Sequence, residues 1–403
     1  MNAPSNLLKD VYEWPNAVNE VPKEVFLRDD IYQLELEKLF YGPVWHPVAH
    51  VSEVPNVGDY KTSYLGEKSI LVIHGEDGQV RVFQNACTHR GTELVTGFMG
   101  NKTEYECPYH RWIFDSKGDL RVCPGDDDFP EDFTKKKFGL SEITTESFFG
   151  LLFVTLDPDS APTLESYLGR TAEHLQQVLG GDGRLKLMGY QKVNYNANWK
   201  AYRDNDGYHP PLLHAAFRLL NWQGGKGFCI VEPNGNIALV SQLKEAAKTG
   251  FLKDESILEF RDVNPSQGSY VVAPSLVSVT TKHLDMINIR FAMPRGVGKT
   301  EVHWAYFSHQ DDSEEMVKHR LNQSSNLLGP SGLVSLEDAA VFHRIQRAAT
   351  TSPNNSYFLK GIVEGFDAAN GAQNDEVANT VFWEYYRKTL GFPRSEAKNN
   401  DLK

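Results

Sequence analysis

The sequence predicts an α+β protein in two unequal parts, a small all-β unit and a larger unit in which an antiparallel sheet carries helices. Three observations lead there. Between Trp45 and about Leu156, short apolar runs alternate with Gly- and Asp-bearing turns, the texture of a compact β domain. A polar, proline-bearing stretch, Asp157-Pro158-Asp159-Ser160-Ala161-Pro162-Thr163, then interrupts the pattern. Beyond it, strand-length apolar runs come first and helix-period segments follow, the order of an α+β domain.

The elements follow in chain order. Tyr32, Leu36, Leu39 and Phe40 fall at i, i+4, i+7 and i+8, which predicts an amphipathic helix within residues 21–43. In the β-rich part, Ser69-Ile70-Leu71-Val72-Ile73, Gln79-Val80-Arg81-Val82-Phe83 and Leu151-Leu152-Phe153-Val154-Thr155 read as strands. A helix is expected over about 164–179, then strands over 186–195, 237–242, 269–272, 276–280, 286–293 and 301–308. Further helices are expected over 314–327, 336–348 and 379–390. The domains are accordingly expected as an N-terminal helical segment, residues 1–44, packed on the larger domain, a β domain over 45–157 and the larger domain over 158–403.

Composition narrows the function. A chain of 403 residues, 40% of them hydrophobic, can bury the cores of two or three domains. Its net charge of −12 opposes nucleic acid and anionic membrane as partners, because an acidic surface repels both. The basic run Lys135-Lys136-Lys137 stands behind the acidic Asp126-Asp127-Asp128. No run approaches the ~20 apolar residues of a membrane span, and residues 1–20 lack a signal-peptide stretch, so the expected location is cytoplasmic. Cys87, Cys107, Cys123 and Cys229 are too few to staple such a chain, and in a reducing compartment Cys and His together point to metal.

Two constellations carry that metal reading. Cys87-Thr88-His89 and Cys107-Pro108-Tyr109-His110 form two short arms, each with one Cys and one His. A Rieske-type [2Fe–2S] cluster needs this stoichiometry, with two thiolates on one iron and two imidazoles on the other. Tetrahedral Zn²⁺ also accepts two Cys and two His, but zinc modules usually keep like ligands in the same knuckle, whereas both arms here are mixed. Further on, His209 and His214 flank Pro210-Pro211-Leu212-Leu213, and a Pro-Pro pair that opens a helix can aim both imidazoles at one point. Two His plus one carboxylate would leave positions on Fe(II) open to O₂ and substrate. Taken alone, that pair could equally be structural, and with 53 acidic residues periodicity does not choose the carboxylate.

Cys87-Thr88-His89-Arg90-Gly91 and Cys107-Pro108-Tyr109-His110-Arg111-Trp112 resemble the cluster loops of the Rieske non-haem iron ring-hydroxylating oxygenases, and the resemblance extends over nearly the whole chain. It implies an all-β Rieske domain and a helix-grip-like catalytic domain, with a [2Fe–2S] cluster and a mononuclear Fe(II) as cofactors. Ser335-Leu336-Glu337-Asp338 resembles the start of the family helix that supplies a carboxylate ligand, which implies Asp338 beside His209 and His214. The resemblance also implies that Asp206 joins His110 of one subunit to His209 of the next, where a carboxylate accepting from two imidazoles fixes their tautomers. An N-terminal helix cap is the plainer role for Asp206. The Asp204-Asn205-Asp206 run is shorter than in many relatives, and His343 stands where they often carry Glu.

By the same resemblance, an NAD(P)H-dependent reductase or a ferredoxin supplies electrons, O₂ is the oxidant, and the subunits close into a homotrimer, with or without a small β subunit. Leu213 and Phe217, among the apolar residues after His209, suit a flat aromatic ligand, although core packing on a helix face is the commoner account of each such residue. Arg290, within Asn288-Ile289-Arg290-Phe291, corresponds to an arginine of aryl-carboxylate oxygenases and suggests a benzoate- or indole-acid-like substrate; an internal ion pair is the alternative. Two competing functions remain: a Rieske monooxygenase that demethylates or hydroxylates a small or quaternary amine, and an electron-transfer protein without oxygenase chemistry.

Overall fold

The computed structural model describes residues 12–205, 223–243, 250, 252–262, 269–351 and 354–395. It divides into two compact units, one over residues 41–164 and the other over the preceding and following chain.

The 41–164 unit contains ten strands in three antiparallel sheets. In chain order they are β1 (His46–His50), β2 (Asp59–Leu65), β3 (Lys68–His74), β4 (Val80–Gln84), β5 (Met99–Asn101), β6 (Glu104–Glu106), β7 (Ile113–Asp115), β8 (Leu120–Val122), β9 (Thr144–Phe148) and β10 (Leu151–Thr155). Sheet orders are β4-β3-β2-β5, β6-β7-β8 and β9-β10-β1. β3 alternates its apolar residues between two cores. Leu71 and Ile73 join Tyr105, Trp112 and Phe114 on one side, and Ile70 and Val72 join Val48, Val82 and Leu152 on the other. Inside this unit Lys61 and Glu53 form a fully buried ion pair at 2.5 Å, and Lys61 Nζ also donates to the carbonyl of Val48. The second bond and the His50 N–H on Glu53, at 2.7 Å, offset the desolvation of two charges.

The larger unit is built on one eight-stranded antiparallel sheet. Its strands are β11 (Leu185–Tyr195), β12 (Gln223–Val231), β13 (Ile237–Leu243), β14 (Ser269–Ala273), β15 (Ser278–His283), β16 (Met286–Pro294), β17 (Thr300–His309) and β18 (Asn370–Ala372), in the spatial order β11-β17-β16-β15-β14-β13-β12-β18. Its helices are α1 (Asp29–Glu35), α2 (Thr171–Val178), α3 (Trp199–Arg203), α4 (Glu314–Gln323), α5 (Ser335–Ala349) and α6 (Val377–Leu390). β16 and β17 are buried almost throughout, with apolar residues at most positions of β16 and through the centre of β17 (Trp304, Ala305, Tyr306 and Phe307).

Three expected elements come out differently. The single helix over 164–179 is two pieces, Leu164–Leu168 and α2, because Gly169 turns left-handed at φ +52° against the Glu232 carboxylate. The helix over 314–327 ends at Gln323 and finishes as a π turn, Ser324–Leu328. The strand over 276–280 begins instead at Ser278, since Ser275 Oγ accepts from the Ser278 N–H in a turn, and it runs on to His283.

A buried polar knot ties three helices of this unit together. Glu35 at the end of α1 accepts from Lys200 Nζ (2.6 Å), from Trp199 Nε1 (2.7 Å) and from the Tyr386 hydroxyl. α1, α3 and α6 are thereby tied together just ahead of Asp204 and Asn205.

Candidate functional site

In the 41–164 unit the two Cys/His arms are built alike. Cys87 N–H donates to the Thr92 carbonyl and Gly91 N–H returns to the Cys87 carbonyl. Cys107 N–H donates to Trp112 and Arg111 N–H returns to Cys107. Each loop closes on a left-handed residue four positions after its cysteine, Gly91 at φ +76° and Arg111 at φ +59°. Glycine takes that conformation freely, whereas at Arg111 it costs about 1 kcal/mol.

These equivalent loops bring the four residues together. Both cysteines are buried. Burial holds the Cys87 thiol above its usual range, the His89 and Arg90 N–H groups on its sulfur pull the other way, and the neighbouring Cys107 sulfur raises it again. The imidazoles of His89 and His110 meet edge to face at 4.7 Å between centroids. His89 lies flat on Trp112, 4.7 Å away and 7° from parallel, and Trp112 is wedged among Phe129, Phe133 and Phe138. His110 Nδ1 is shielded from solvent without a hydrogen-bond partner among the described residues. Two facing sulfurs, two facing imidazoles and a ring nitrogen otherwise unsatisfied are the donors a Rieske [2Fe–2S] cluster takes.

In the larger unit, α5 turns Ser335, Asp338 and Phe342 toward one side, as spacings of i, i+3 and i+7 require. Phe342 packs on Tyr195 and Tyr202, and Gln346 accepts from the Asn198 N–H and donates to the Phe26 carbonyl, so α5 is seated on α3. Asp338 and Asn205 therefore line the same cavity, of about 140 Å³, closed on the helix side by Leu328, Val334 and Ser335. The opposite wall is one face of the sheet, contributed by Leu239, Ser241, Ser269, Val271, Thr281, His283, Met286, Asn288, Arg290 and Trp304.

That sheet face is polar in an apolar setting. Arg290 stacks over Trp304, with its guanidinium carbon 4.8 Å from the ring centroid, and donates from Nη2 to Thr281 Oγ1 at 2.8 Å. Its Nε is buried without a hydrogen-bond partner among the described residues, and its contacts there are to Thr281 and Trp304 rather than to a carboxylate. The internal ion pair considered for Arg290 is thus not found there. His283 shares a short hydrogen bond with the Ser269 hydroxyl, and burial pushes its pKa down to about 4, so the imidazole is neutral at physiological pH.

Asp206, His209, Leu213, His214 and Phe217 lie outside the described residues. Among those described, no three His, Cys, Asp or Glu side chains converge on a single ion; a Rieske cluster asks only two ligands per iron. His343 is exposed on α5 and faces the Asn196 carbonyl at 3.4 Å. The polar residues of the sheet wall other than Arg290 escaped sequence reading. The available signal was polar side chains at alternate positions of an apolar strand, as in Met286-Ile287-Asn288-Ile289-Arg290.

Comparison with known proteins agrees with this architecture. Residues 44–134 match the Rieske [2Fe–2S] domain, and residues 182–392, more than half of the chain, match the ring-hydroxylating alpha subunit catalytic domain. The chain is 30% identical to the terephthalate 1,2-dioxygenase terminal oxygenase component subunit alpha 2 of Comamonas sp, over 95% of this chain and 98% of that protein. It is 29% identical to the large oxygenase component of salicylate 5-hydroxylase from Ralstonia sp, over 94% and 96%. The crystal structure of naphthalene 1,2-dioxygenase from Rhodococcus sp. bound to indole superposes with a TM-score of 0.80 at 22% identity, covering 92% of this chain and 94% of that one. A quaternary ammonium Rieske monooxygenase shares the fold at a TM-score of 0.76 and 22% identity, covering 94% and 100%. With its catalytic-domain match and relatives aligned along nearly its whole length, the chain belongs to the alpha subunits of the Rieske ring-hydroxylating oxygenases, oxidoreductases that carry a [2Fe–2S] cluster and a mononuclear iron.

Proposed function

We propose that this chain is the terminal oxygenase component that hydroxylates a single-ring aryl carboxylate. The observation that carries the substrate class is Arg290, a guanidinium without a carboxylate partner among the described residues, on the wall of the cavity that Asp338 also lines. Arg290 is half-buried with its Nε shielded from water, so an anion that meets it recovers part of a desolvation cost, and a planar guanidinium suits a carboxylate in two-point contact. The apolar Leu239, Val271, Leu328 and Val334 would hold the ring and exclude water. A cavity of about 140 Å³ favours one ring, since one of roughly 150 Å³ accommodates benzene.

In this reading Cys87, His89, Cys107 and His110 hold the cluster, while His209, His214 and Asp338 hold the iron. When bound, the cluster supplies electrons and the iron supplies O₂ activation. Asp206 would orient His110 and His209 through their ring N–H groups, across a head-to-tail homotrimer, with a reductase or ferredoxin as electron source. Arg290 weighs against a quaternary amine that carries no acid group, because two fixed cations would repel across a cavity this small.

A screen of substrate-dependent NADH and O₂ consumption, with a matched reductase, across aryl acids, anilines and quaternary amines tests the proposal. Coupled turnover is expected with aryl acids, and Arg290→Gln should weaken their binding about 30-fold or more, as loss of a charge-assisted hydrogen bond does. Turnover confined to quaternary amines would overturn it.

A further inference from the structure

The cavity holds a second unsatisfied polar group whose position bears on what stands beside the substrate's acid. Asn288 is 1% exposed and lines the cavity, yet among the described residues its Oδ1 has no hydrogen-bond partner, while its Nδ2 reaches only the weak acceptor Met286 Sδ at 3.3 Å. A buried amide oxygen left unpaired is destabilising, so the site is arranged for a donor that arrives from elsewhere.

The strand register says where that donor must sit. Asn288 and Arg290 are alternate residues of β16 and project to the same face, about 7 Å apart along the strand. Arg290 does not extend straight across. Its Nη2 binds Thr281 Oγ1, and Thr281 is the direct cross-strand partner of Asn288. The guanidinium head therefore leans into the row that holds the Asn288 amide, and cation and acceptor converge on neighbouring points of the cavity. Of the other polar residues on this wall, Thr281 is bound by Arg290, and His283 and Ser269 engage each other.

Building on the carboxylate reading of Arg290, we infer that Asn288 is a specificity-determining residue: its Oδ1 accepts a hydrogen bond from a hydroxyl or amino group on the ring position adjacent to the substrate's carboxylate. The substrate class is then the 2-hydroxy- or 2-aminobenzoate type. A benzoate without the substituent leaves Asn288 unpaired, and a 2-methoxy analogue brings an acceptor against an acceptor.

The test measures dissociation constants of the cluster- and iron-loaded enzyme, oxidised and without reductant, by titration calorimetry with benzoate, 2-hydroxybenzoate, 2-aminobenzoate and 2-methoxybenzoate. Wild-type enzyme is expected to bind the hydroxy and amino compounds about tenfold more tightly than the methoxy compound. In Asn288→Leu that ratio should collapse to near one, with a melting transition no lower than that of wild type showing the variant folded. Because the readout is a ratio between ligands on one protein, a merely structural role for Asn288 would not move it. Equal wild-type affinity for the hydroxy and methoxy compounds, or a ratio unchanged in Asn288→Leu, overturns the inference. If benzoate binds and Arg290→Gln weakens it while Asn288→Leu leaves the ratio intact, only the role of Asn288 falls. If no aryl carboxylate binds, or binding ignores Arg290, the carboxylate reading falls with it.

Discussion

Replacing Glu35 by Gln should be among the most damaging single changes to the larger unit. The carboxylate is fully buried, 2.6 Å from an equally buried Lys200 ammonium, and it also accepts from Trp199 and Tyr386. Burial already holds the Lys200 pKa below its usual value, with Glu35 opposing that shift. Without the carboxylate, Lys200 is an uncompensated buried charge, which costs about 3–5 kcal/mol. For a unit of this size each kcal/mol shifts Tm by roughly 2–4 °C, so a fall of roughly 6–20 °C is expected. Thermal unfolding followed by tryptophan fluorescence reads it, because Trp199 sits in the knot, and the visible circular dichroism of the cluster reports the 41–164 unit separately. Glu35→Met with Lys200→Met, which removes both charges, should recover most of the loss. A Tm change under about 2 °C for Glu35→Gln, or a double variant no better than the single, would refute the reasoning.

Other expectations follow from the same structure. Burial raises Asp204 to about 6 although Trp383 and Asn379 donate to it. Its folded pKa lies above the unfolded value of 3.8, so the ionised form is disfavoured on folding and stability falls as pH rises from about 4 through 6. Asp204→Asn should therefore raise Tm at pH 8, by at most about 3 kcal/mol in stability, with the gain gone near pH 4; an equal gain at both pH values would contradict this. Asp338→Ala is expected to lose the mononuclear iron while keeping the cluster absorption, read by metal analysis beside visible spectra. Trp112→Ala should strip the flat ring from His89 and leave the cluster more exposed, so its visible spectrum should bleach several-fold faster in air than wild type; equal rates would show that the stacking has no protective role.

Much of the fold was legible because the strands near the site are extreme. β16 and β17 match their expected ranges to within a residue or two, since each carries enough β-branched, aromatic and other apolar residues at strand length to mark a buried strand. The breaks were harder to see. Gly169 interrupts a helix-period stretch through one left-handed residue, and the Gly224-Gly225-Lys226-Gly227 run hides β12 by removing the alternation that marks a strand. The mixed Cys/His arms announced themselves by spacing. Arg290 was visible as a charge in an apolar strand, but whether a carboxylate paired with it depended on contacts no spacing records. Asn288 and Thr281 were invisible for a related reason: a polar residue in a strand is ordinary until the register sets it beside a half-buried cation.

The central claim is two iron centres in one chain, one held by Cys87, His89, Cys107 and His110 and the other by His209, His214 and Asp338. Iron and acid-labile sulfide analysis of anaerobically purified protein, with EPR after reduction, tests it most directly. About three irons and two sulfides per chain, a near-axial histidine-ligated cluster signal, and loss of one iron alone in His209→Ala are the predicted result. Zinc in place of iron, or an unchanged iron content in His209→Ala, would contradict it.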